Sequence, residues 1–370
     1  MRVALNLSFL APGETGGMEV YARELARALA ARQGLELVLL GNRLLDDAWP
    51  HVDRVVMPVD PRRRIEWVIG DQIHTPRAAA RVRADIVHSL ASTGPATGSV
   101  VRVTTIHDLT YKLFPDTHFG VRGLGMRLLV PLAARRSRRV IVDAESTRAD
   151  LHEHLGTPPA RVDVAPLAAR VPPDPAATPE PELRARLELG DRRLVLSLSA
   201  KRPHKNLPRL LRALAALEPQ LRPVLVVPGY PTRHEDELRL LAGELGIAEL
   251  VRMPPWLADA DLEGLYRAAA CVVFPSLYEG FGLPVLEAMA REVPVACSRR
   301  SSLPEVAGEA ALLFDPEDID AIGAAMERLL TDAGLAERLR TAGRERAALF
   351  SWERTAELTV ESYRRALDAE

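Results

Sequence analysis

Residues 193–229, RLVLSLSAKRPHKNLPRLLRALAALEPQLRPVLVVPG, contain the pattern that decides the fold. Two short apolar runs, LVLSLS and PVLVVPG, have the composition of buried strands. The segment between them, LPRLLRALAAL, carries its apolar residues at helical spacing. A strand, a helix and a second strand in this order predict two parallel strands joined by a crossover helix.

The same alternation continues on both sides of this stretch. The predicted strands before it are RVALNLS, ELVLL, RVVMPV, ADIVHSL, VVRVTTIHD and RRVIVDA, and those after it are ELVRMP, ACVVFPS, PVACS and AALLF. The pattern pauses at 161–182, a proline-rich segment that we interpret as a stiff, exposed connector. We therefore predict an α/β protein with two doubly wound parallel sheets, residues 1–168 and 169–349, facing a central cleft, and a last helix within 350–370.

The overall charge argues against a nucleic-acid-binding protein. The 370 residues carry 48 Lys+Arg and 50 Asp+Glu, a formal net charge of −2. Residues 1–170 have 23 basic and 18 acidic side chains, net +5, and the remainder have 25 and 32, net −7. Nucleic-acid binding normally requires a strongly basic domain, so no such partner is expected.

Cysteine usage and the first residues indicate an intracellular protein. Cys271 and Cys297 lie in short apolar runs and are expected to be reduced core thiols. The sequence enters a strand pattern directly after Met1, without the layout of a signal peptide, and no apolar run is long enough to span a membrane. We expect a cytoplasmic location, with the inner face of the membrane as a further option.

The first predicted strand leads into a glycine-rich turn, APGETGG, which ends at Gly16 and Gly17. Glycines let the backbone approach a ligand closely, and a helix N-terminus favours an anion such as a diphosphate. A plain strand-to-helix turn would have the same composition, so the segment alone leaves both interpretations open.

A histidine and an aspartate, His107 and Asp108, follow the apolar strand around Val101 to Thr105. Ligands of open α/β sheets bind at the carboxyl ends of the strands, where this pair is expected. The pair could hydrogen-bond a sugar hydroxyl or a reacting oxygen, whereas a purely structural Asp108 would only begin a turn.

Lysine is rare in this chain, and two of its three lysines, Lys201 and Lys205, lie in the loop AKRPHKN together with Arg202. The loop immediately precedes a predicted helix. Cations at a helix N-terminus form a phosphate site, so we prefer that interpretation over a solvated basic loop.

Two carboxylates, Glu279 and Glu287, bracket the segment GFGLPVL. Pro284 stands where the first turn of a helix accepts proline. Carboxylates accept hydrogen bonds from vicinal hydroxyls, the usual way in which proteins bind sugars and riboses. An acid/base pair, or a helix-dipole role for Glu287, is the alternative.

The segment EGFGLPVLE, residues 279–287, resembles the E-x7-E motif of the retaining glycosyltransferases of family GT4, which have the GT-B fold. The run PVACSRRSSLPEVAGEAALLFDP after it is similar to the corresponding family segment. The Gly-Gly turn, IHDL, PHKN and the final Trp–Tyr helix also match, in the family's order, so the resemblance covers nearly the whole chain. It implies a hexosyltransferase that needs no cofactor and uses a nucleotide-sugar donor.

The resemblance also assigns roles to individual residues. Lys205 would bind the donor's diphosphate, Glu287 its ribose, and Glu279 the transferred sugar. His107 would touch the sugar near the reacting centre, and the base would lie against residues 253–256. The implied catalytic set is His107, Lys205 and Glu279, and the implied donor-binding set is Gly16, Gly17, Arg202, Lys205, Met253, Phe281, Gly282, Leu283 and Glu287.

One position departs from the family pattern. Many relatives have an arginine six residues before the lysine, where this chain has Ser199. Arg202 or Lys201 would then supply the second cation. Fixed cations and helix N-termini can stabilise a departing diphosphate without a metal ion, and no Asp-x-Asp metal motif is evident; Asp46 and Asp47 form a lone acidic pair.

The pattern most resembles bacterial mannosyltransferases of surface polysaccharide synthesis, which implies GDP-mannose as the donor. A UDP-sugar transferase, an epimerase or phosphorylase of the same fold, and a bilobed sugar-binding protein are the alternatives. The acceptor would be a glycan, a lipid-linked molecule or a small molecule, bound by the basic N-terminal half. Arginines with Trp67, Leu124, Met126 and Leu128 in 61–74 and 122–139 could contact an anionic membrane, or could form solvated helix faces.

Overall fold

The computed structural model describes residues 1–46, 48–117, 120–171 and 176–369, with the side chains of 120–124 outside the description. The chain divides into two compact units. Unit 1 contains Met1–Ala168 and Phe350–Glu370, and unit 2 contains Ala169–Leu349. Each unit is built on one parallel β-sheet.

Among the described residues of unit 1, the sheet has seven strands in the order β3-β2-β1-β4-β5-β6-β7. All its pairs are parallel; Leu5 in the central strand, for example, pairs with Leu39 on one side and His88 on the other. The strands are β1 Arg2–Asn6, β2 Glu36–Gly41, β3 Asp53–Val56, β4 Ile86–Ser89, β5 Val101–Thr105, β6 Arg139–Val142 and β7 Val162–Val164. The direction of winding reverses between β1 and β4, as in doubly wound folds.

The helices of unit 1 cover this sheet. They are α1 Gly17–Ala30, α2 Arg64–Ile69, α3 Thr75–Arg81, α4 Thr110–Leu113, α5 Gly120–Arg136 and α6 Glu145–Leu155, with a π-helical turn at Gly70–His74 between α2 and α3. Helix α1 buries Tyr21, Leu25 and Leu29, which lie four residues apart on one face of the helix. Burying such a stripe against the sheet provides most of the stability of an amphipathic helix.

The last helix, α15 Trp352–Asp368, belongs to unit 1. The Ser351 side chain caps its N-terminus by accepting a hydrogen bond from the backbone N–H of Arg354. Thr355 Oγ1 donates to Pro166 O at 2.6 Å, and Tyr363 Oη lies 2.7 Å from His88 Nδ1 in the buried interior. These polar contacts fix the helix against the sheet.

The sheet of unit 2 has six parallel strands in the order β10-β9-β8-β11-β12-β13. Its strands are β8 Leu194–Leu196, β9 Val224–Val226, β10 Val251–Arg252, β11 Ala269–Phe274, β12 Val295–Ser298 and β13 Leu312–Phe314. The winding reverses between β8 and β11, so the loops that follow these two strands leave the sheet side by side. Cys271 and Cys297 lie buried in β11 and β12, where burial raises the pKa of each thiol to about 12.

The helices of unit 2 lie around this sheet. They are α7 Glu180–Arg186, α8 Leu207–Ala216, α9 His234–Glu244, α10 Asp259–Ala268, α11 Leu283–Ala290, α12 Leu303–Ala307, α13 Ile319–Thr331 and α14 Ala333–Ala347. Helices α8 and α13 pack together, and Leu210, Leu214, Ile322 and Met326 lie in one buried core with the strands. The helix and second strand predicted from 193–229 are thus α8 and β9.

The predicted connector at 161–182 is partly wrong. Residues Val162–Val164 form β7, and Ala165, Leu167 and Ala168 are buried, so the first third of the segment belongs to the core of unit 1. The strand was hidden because it is three residues long and merges with the proline-rich composition. Residues 172–175 lie outside the described part of the chain.

The predicted fold class is confirmed: both units are parallel sheets with helices around them. None of the described helices carries an apolar stretch that would reach across a lipid bilayer.

Candidate active site

Two neighbouring loops of unit 2 carry most of the predicted donor-binding residues. One follows β8 and ends at Asn206, and the other follows β11 and leads into α11 at Leu283. The backbone N–H of Leu277 donates to His204 O at 2.8 Å, and Asn206 Nδ2 donates to Pro275 O at 3.0 Å. The PHKN segment is therefore hydrogen-bonded to the first residues of the loop that contains EGFG.

The cation and the first carboxylate of the predicted site are directly paired. Lys205 Nζ donates to Glu279 Oε1 at 2.6 Å, and both side chains are largely shielded from solvent. The ammonium also lies 5.6 Å from the centre of the Phe274 ring. A charge-assisted bond of this kind presents a positive and an acceptor group side by side, which suits a ligand with both phosphate and hydroxyl groups.

The EGFG turn is held by serines of the next loop. Ser302 Oγ donates to Phe281 O at 2.7 Å, and Ser301 Oγ accepts from the backbone N–H of Glu279 at 3.2 Å. Gly282 has φ +109°, and a Cβ at this position would lie 2.6 Å from Leu303 Cδ2. Glycine is the residue that suits both the positive φ and the close approach to Leu303, so the turn before α11 is restricted to this conformation.

The second carboxylate, Glu287, projects from α11 into a polar cluster. Tyr266 Oη donates to Glu287 Oε2 at 3.3 Å, and Arg291 stacks 4.6 Å from the Tyr266 ring centre while its Nε donates to Glu263. Burial raises the pKa of Glu287 to about 7, and the charge of Arg291 opposes that rise. Burial thus moves the pKa of Glu287 from the acidic range toward neutral pH.

The two other predicted cations, Arg202 and Lys201, differ in how deeply they are buried. Arg202 is partly buried in the loop after β8. Lys201 is completely buried, and its Nζ donates to Gly229 O at 2.7 Å and to Pro254 O at 3.1 Å. The prediction that Lys201 could be a second phosphate-binding cation is therefore wrong, because its donors are already used inside unit 2.

The segment predicted to lie against the base contains one buried and one exposed side chain. Met253 is buried in the core of unit 2, whereas Trp256 has 52% of its surface exposed. The Trp256 ring stacks on Tyr230, with ring centres 4.8 Å apart and planes inclined by 20°. An apolar aromatic surface thus lies beside the loops that follow β9 and β10.

In unit 1, both ring nitrogens of His107 are hydrogen-bonded within the protein. Nδ1 lies 2.7 Å from Asp143 Oδ2, and Nε2 lies 2.8 Å from Leu90 O. The ring also meets the edge of Tyr21 at 4.8 Å. Burial lowers the pKa of His107, but the carboxylate of Asp143, the hydrogen bond to Leu90 O and the charge of Asp108 together hold that pKa above its ordinary value. The neighbouring Asp108 accepts from the backbone N–H of Thr110 at 2.7 Å and so forms a turn.

The glycine turn of unit 1 has the predicted conformation. Gly16 precedes α1 with φ +60°, and Gly17 is the first residue of the helix. The carboxylate of Glu19 accepts from the backbone N–H of Gly13 at 2.8 Å and pairs with Arg23. A carboxylate thus already occupies part of the turn, the kind of group that a helix N-terminus attracts.

Unit 2 therefore brings together Lys205, Glu279, Phe281, Gly282 and Leu283, with Glu287 one helical turn farther along α11. Gly16, Gly17 and His107 are in unit 1, and Met253 is on the separate loop after β10. Within the described ranges, no group of three or more His, Cys, Asp or Glu side chains could hold a metal ion. Asp46 pairs with Arg23 at 2.7 Å, and Asp47 lies outside those ranges.

Both units match models of known families. Residues 15–169 match the model described as Glycosyltransferase Family 4, and residues 179–346 match Glycosyl transferases group 1. Over 268 residues, the chain is 34% identical to O-antigen chain mannosyltransferase B of Escherichia coli, covering 71% of this chain and 70% of that protein. The chain belongs to glycosyltransferase family 4. The predicted class of enzyme, a hexosyltransferase, is confirmed.

Further relatives of this glycosyltransferase cover nearly its whole length. It is 29% identical to MMP alpha-(1->4)-mannosyltransferase of Mycolicibacterium hassiacum, with 99% of this chain and 98% of that protein aligned. Its fold is similar to that of a sucrose-phosphate synthase from Thermosynechococcus elongatus, with a TM-score of 0.75 at 22% identity and 98% of each chain covered. The predicted GT-B fold is thereby confirmed.

Several residues that hold the candidate residues in place were not predicted from the sequence. They are Tyr266, Ser301 and Ser302 in unit 2 and, separately, Asp143 beside His107 in unit 1. The pair Ser301–Ser302, just before a proline-containing helix start, gave a usable signal, because consecutive hydroxyls at a helix entrance often bind backbone groups. Tyr266 meets Glu287 within unit 2, and Asp143 meets His107 within unit 1, only through tertiary contacts.

Proposed function

We propose that this glycosyltransferase transfers a hexose, with retention of configuration, from a nucleotide-diphosphate sugar to an acceptor hydroxyl. The observation that carries the proposal is the 2.6 Å contact between Lys205 and Glu279, at the sheet position where ligands of doubly wound folds bind. In this proposal residues 169–349 bind the donor and residues 1–168 bind the acceptor.

The proposed chemistry follows from the charges of unit 2. Cleavage of a sugar–diphosphate bond places negative charge on the departing phosphate, and the Lys205 ammonium stabilises that charge. The carboxylate of Glu279, shared with Lys205, accepts hydrogen bonds from the sugar hydroxyls. The acceptor attacks the face that the diphosphate leaves, and the departing phosphate takes the acceptor's proton. No divalent metal is required, since Lys205 and the N-termini of α8 and α11 supply the positive potential.

The proposed donor is GDP-mannose. The names of the relatives in Escherichia coli and Mycolicibacterium hassiacum support a mannosyl group. Glu287, partly buried on α11, binds the ribose hydroxyls, and the base lies against residues 253–256. Arg202 assists Lys205 at the diphosphate.

In unit 1 we propose that Gly16 and Gly17 approach the donor through their backbone and that His107 contacts the transferred sugar. The ring of His107 has an Nε2–H that donates to Leu90 O at 2.8 Å. A sugar hydroxyl would share this donor, and the hydrogen bond between Nδ1 and Asp143 would hold the ring in the orientation that presents it.

We also propose that unit 1 associates peripherally with anionic membranes, on the surface of the bilayer. Ile65, Ile69 and Ile73 are exposed at intervals of four residues, with 77% of Ile65 accessible, and Arg64 lies exposed beside them. An apolar stripe flanked by arginines is complementary to an anionic lipid surface. The second predicted surface is weaker: Leu128 is exposed, but Met126 packs against the core, and residues 122–124 fall outside the described side chains.

A thermal-shift panel tests the donor proposal. GDP, UDP, TDP and ADP and their common sugar conjugates are added with and without Mg²⁺, because selective binding raises the melting temperature. We expect the largest shift with GDP-mannose, unchanged by Mg²⁺. A larger shift with a UDP-sugar would replace the donor, and no shift on folded protein would refute nucleotide-sugar binding.

Membrane binding is tested by co-sedimentation with vesicles. Wild-type protein should bind vesicles that contain phosphatidylglycerol, and Ile65→Ser should bind them less. Leu240→Ser, which removes an exposed leucine from α9 in unit 2, is the matched control. Equal binding of wild type and Ile65→Ser would contradict this surface.

A further inference from the structure

Lys201 is one of three lysines in the chain, and its side chain is entirely buried. Its Nζ donates to Gly229 O at 2.7 Å and to Pro254 O at 3.1 Å, and lies 3.6 Å from the carboxylate of Glu235. Burying an ammonium is costly unless other polar groups replace its water. The fold therefore contains a built site for this cation that the proposed transfer reaction does not use.

The ammonium joins the loops that follow three adjacent strands. Lys201 lies after β8, Gly229 after β9 and Pro254 after β10. Pro254 O also accepts from the backbone N–H of Gly229 at 3.3 Å, and Thr232 Oγ1 donates to the backbone carbonyl of Lys201. The three loops thus share one hydrogen-bonded centre.

Close packing at Gly229 restricts these loops further. Gly229 has φ +150°, and a Cβ there would lie 2.3 Å from Ser199 O. The loop after β9 can therefore approach the loop after β8 only with glycine at this position.

Two of these loops carry the stacked aromatic pair. Tyr230 follows Gly229 directly, and Trp256 is two residues beyond Pro254, so each ring is anchored close to a carbonyl that Lys201 binds. Trp256 remains half-exposed. Because Trp256 is half-exposed, the stacked pair offers a flat apolar surface to a planar ligand. It lies on loops that leave the carboxyl ends of parallel strands, where ligands of such sheets bind.

We propose that Lys201 is a positioning residue for nucleotide recognition: its buried ammonium fixes the loops of Gly229 and Pro254, so that Tyr230 and Trp256 present a rigid surface to the donor's base. This inference rests on the proposed function, in which the base lies against residues 253–256. Lys201 itself does not touch the donor, and Lys205 remains the cation of the diphosphate.

The test separates the base from the phosphates. Binding of GDP and of inorganic pyrophosphate is measured by calorimetry for wild type, Lys201→Gln and Lys205→Gln. Loss of the Lys201 charge should weaken GDP binding roughly tenfold, the effect of about one lost buried polar contact, and leave pyrophosphate binding unchanged. Lys205→Gln should weaken both ligands. Lys112→Gln, which removes an exposed lysine of unit 1 that bonds His154 O, should change neither.

Trp256 supplies a second readout. GDP should quench its fluorescence in the wild type, and the quenching should shrink in Lys201→Gln and disappear in Trp256→Leu. A protein that merely lost global stability would keep the same quenching at saturating GDP, measured well below its melting temperature.

The outcomes distinguish the inference from the function on which it rests. Wild-type protein without affinity for GDP, UDP, TDP or ADP would overturn the proposed function. Wild-type binding together with unchanged GDP affinity in Lys201→Gln, or equal losses of GDP and pyrophosphate, would overturn this inference alone. If Lys201→Gln does not fold, Glu235→Gln removes the counter-charge instead, and an unchanged GDP affinity in that variant would equally overturn it.

Discussion

The ammonium of Lys205 and the carboxylate of Glu279 are 74 residues apart in sequence and 2.6 Å apart in the structure. The contact arises because β8 and β11 are neighbours in the sheet although β9 and β10 lie between them in the chain. Two residues proposed to hold the diphosphate and the sugar thus form one ion pair. The donor must share this pair, so the two side chains are expected to act as a unit.

Replacement of Lys205 by Met is expected to raise the activation barrier for transfer by about 2–4 kcal/mol, because the departing phosphate loses a preorganised positive charge. The measurement is kcat/KM for the donor, with Lys112→Met as the control. The double variant Lys205→Met/Glu279→Gln should cost less than the sum of the single changes, since each single change leaves a partner unpaired. Strictly additive effects would contradict a shared function of the pair.

Nucleotide affinity is expected to increase as the pH rises through 7. Glu287 has its pKa raised to about 7 by burial, and its ionised form is the better acceptor for two ribose hydroxyls. The Kd of GDP is measured between pH 6 and 8 for wild type and Glu287→Gln. The variant should bind more weakly at pH 8 and lose the pH dependence; a wild-type Kd that does not change with pH would refute the role of Glu287.

Asp71 is expected to make the protein less stable as the pH rises. Burial raises its pKa from 3.8 to about 6, although Asn6 Nδ2 donates to it at 2.8 Å. Its contribution to stability is therefore fully present below pH 3.8 and is lost as the pH rises through 6. Relative to Asp71→Asn, the free energy of unfolding of the wild type should fall by about 2–3 kcal/mol across this window. Urea denaturation at several pH values measures the difference, and parallel pH profiles would contradict it.

Asp143 is expected to control the charge of His107. Because the Asp143 carboxylate raises the pKa of His107, Asp143→Asn should lower that pKa, as measured by NMR titration of the imidazole nitrogens. Transfer by the variant should lose kcat more than donor affinity, because the ring loses the hydrogen bond that orients it while the donor loops of unit 2 are untouched. An unchanged titration of His107 would exclude Asp143 as its positioning residue.

Gly282→Ala should both destabilise the protein and weaken donor binding. Alanine at this position would have to adopt φ +109°, and its Cβ would lie 2.6 Å from Leu303 Cδ2. Gly246→Ala is the matched control, since Gly246 has φ +65° but no atom within 4 Å of the added Cβ. The control should lose roughly 1–2 kcal/mol for the left-handed backbone alone, and Gly282→Ala should lose more. Equal melting temperatures for the two variants would show that Leu303 moves aside freely.

Much of the fold could be predicted because local patterns and the sheet agree. The apolar run RLVLSLS contains β8, and the helical spacing of apolar residues in LPRLLRALAAL corresponds to α8. The strand β7 could not be predicted, because three residues do not establish a period and the surrounding prolines suggested a connector. Its pairing with β6 is a tertiary contact that the local sequence does not encode.

The residues of the candidate site also fall into those that a local segment predicts and those whose surroundings depend on tertiary contacts. Glu279, Gly282 and Glu287 could be predicted because they share one short segment. The burial of Lys201 could not, because a lysine beside Lys205 looks like a second exposed cation until the carbonyls of Gly229 and Pro254 surround it. Likewise, the partner of His107 lies 36 residues away at the end of β6. In both cases the contacts join residues that are far apart in sequence, so local patterns could not predict them.

Retaining transfer from the Lys205 site is tested with water as the acceptor. Wild-type protein, Lys205→Met and Lys112→Met are incubated with GDP-mannose, and the first free mannose formed is followed by proton NMR before it mutarotates. We expect α-mannose and GDP in equal amounts, released by the wild type and Lys112→Met and not by Lys205→Met. β-Mannose as the first product, or GDP release that is as fast without Lys205, would contradict retaining transfer from this donor site.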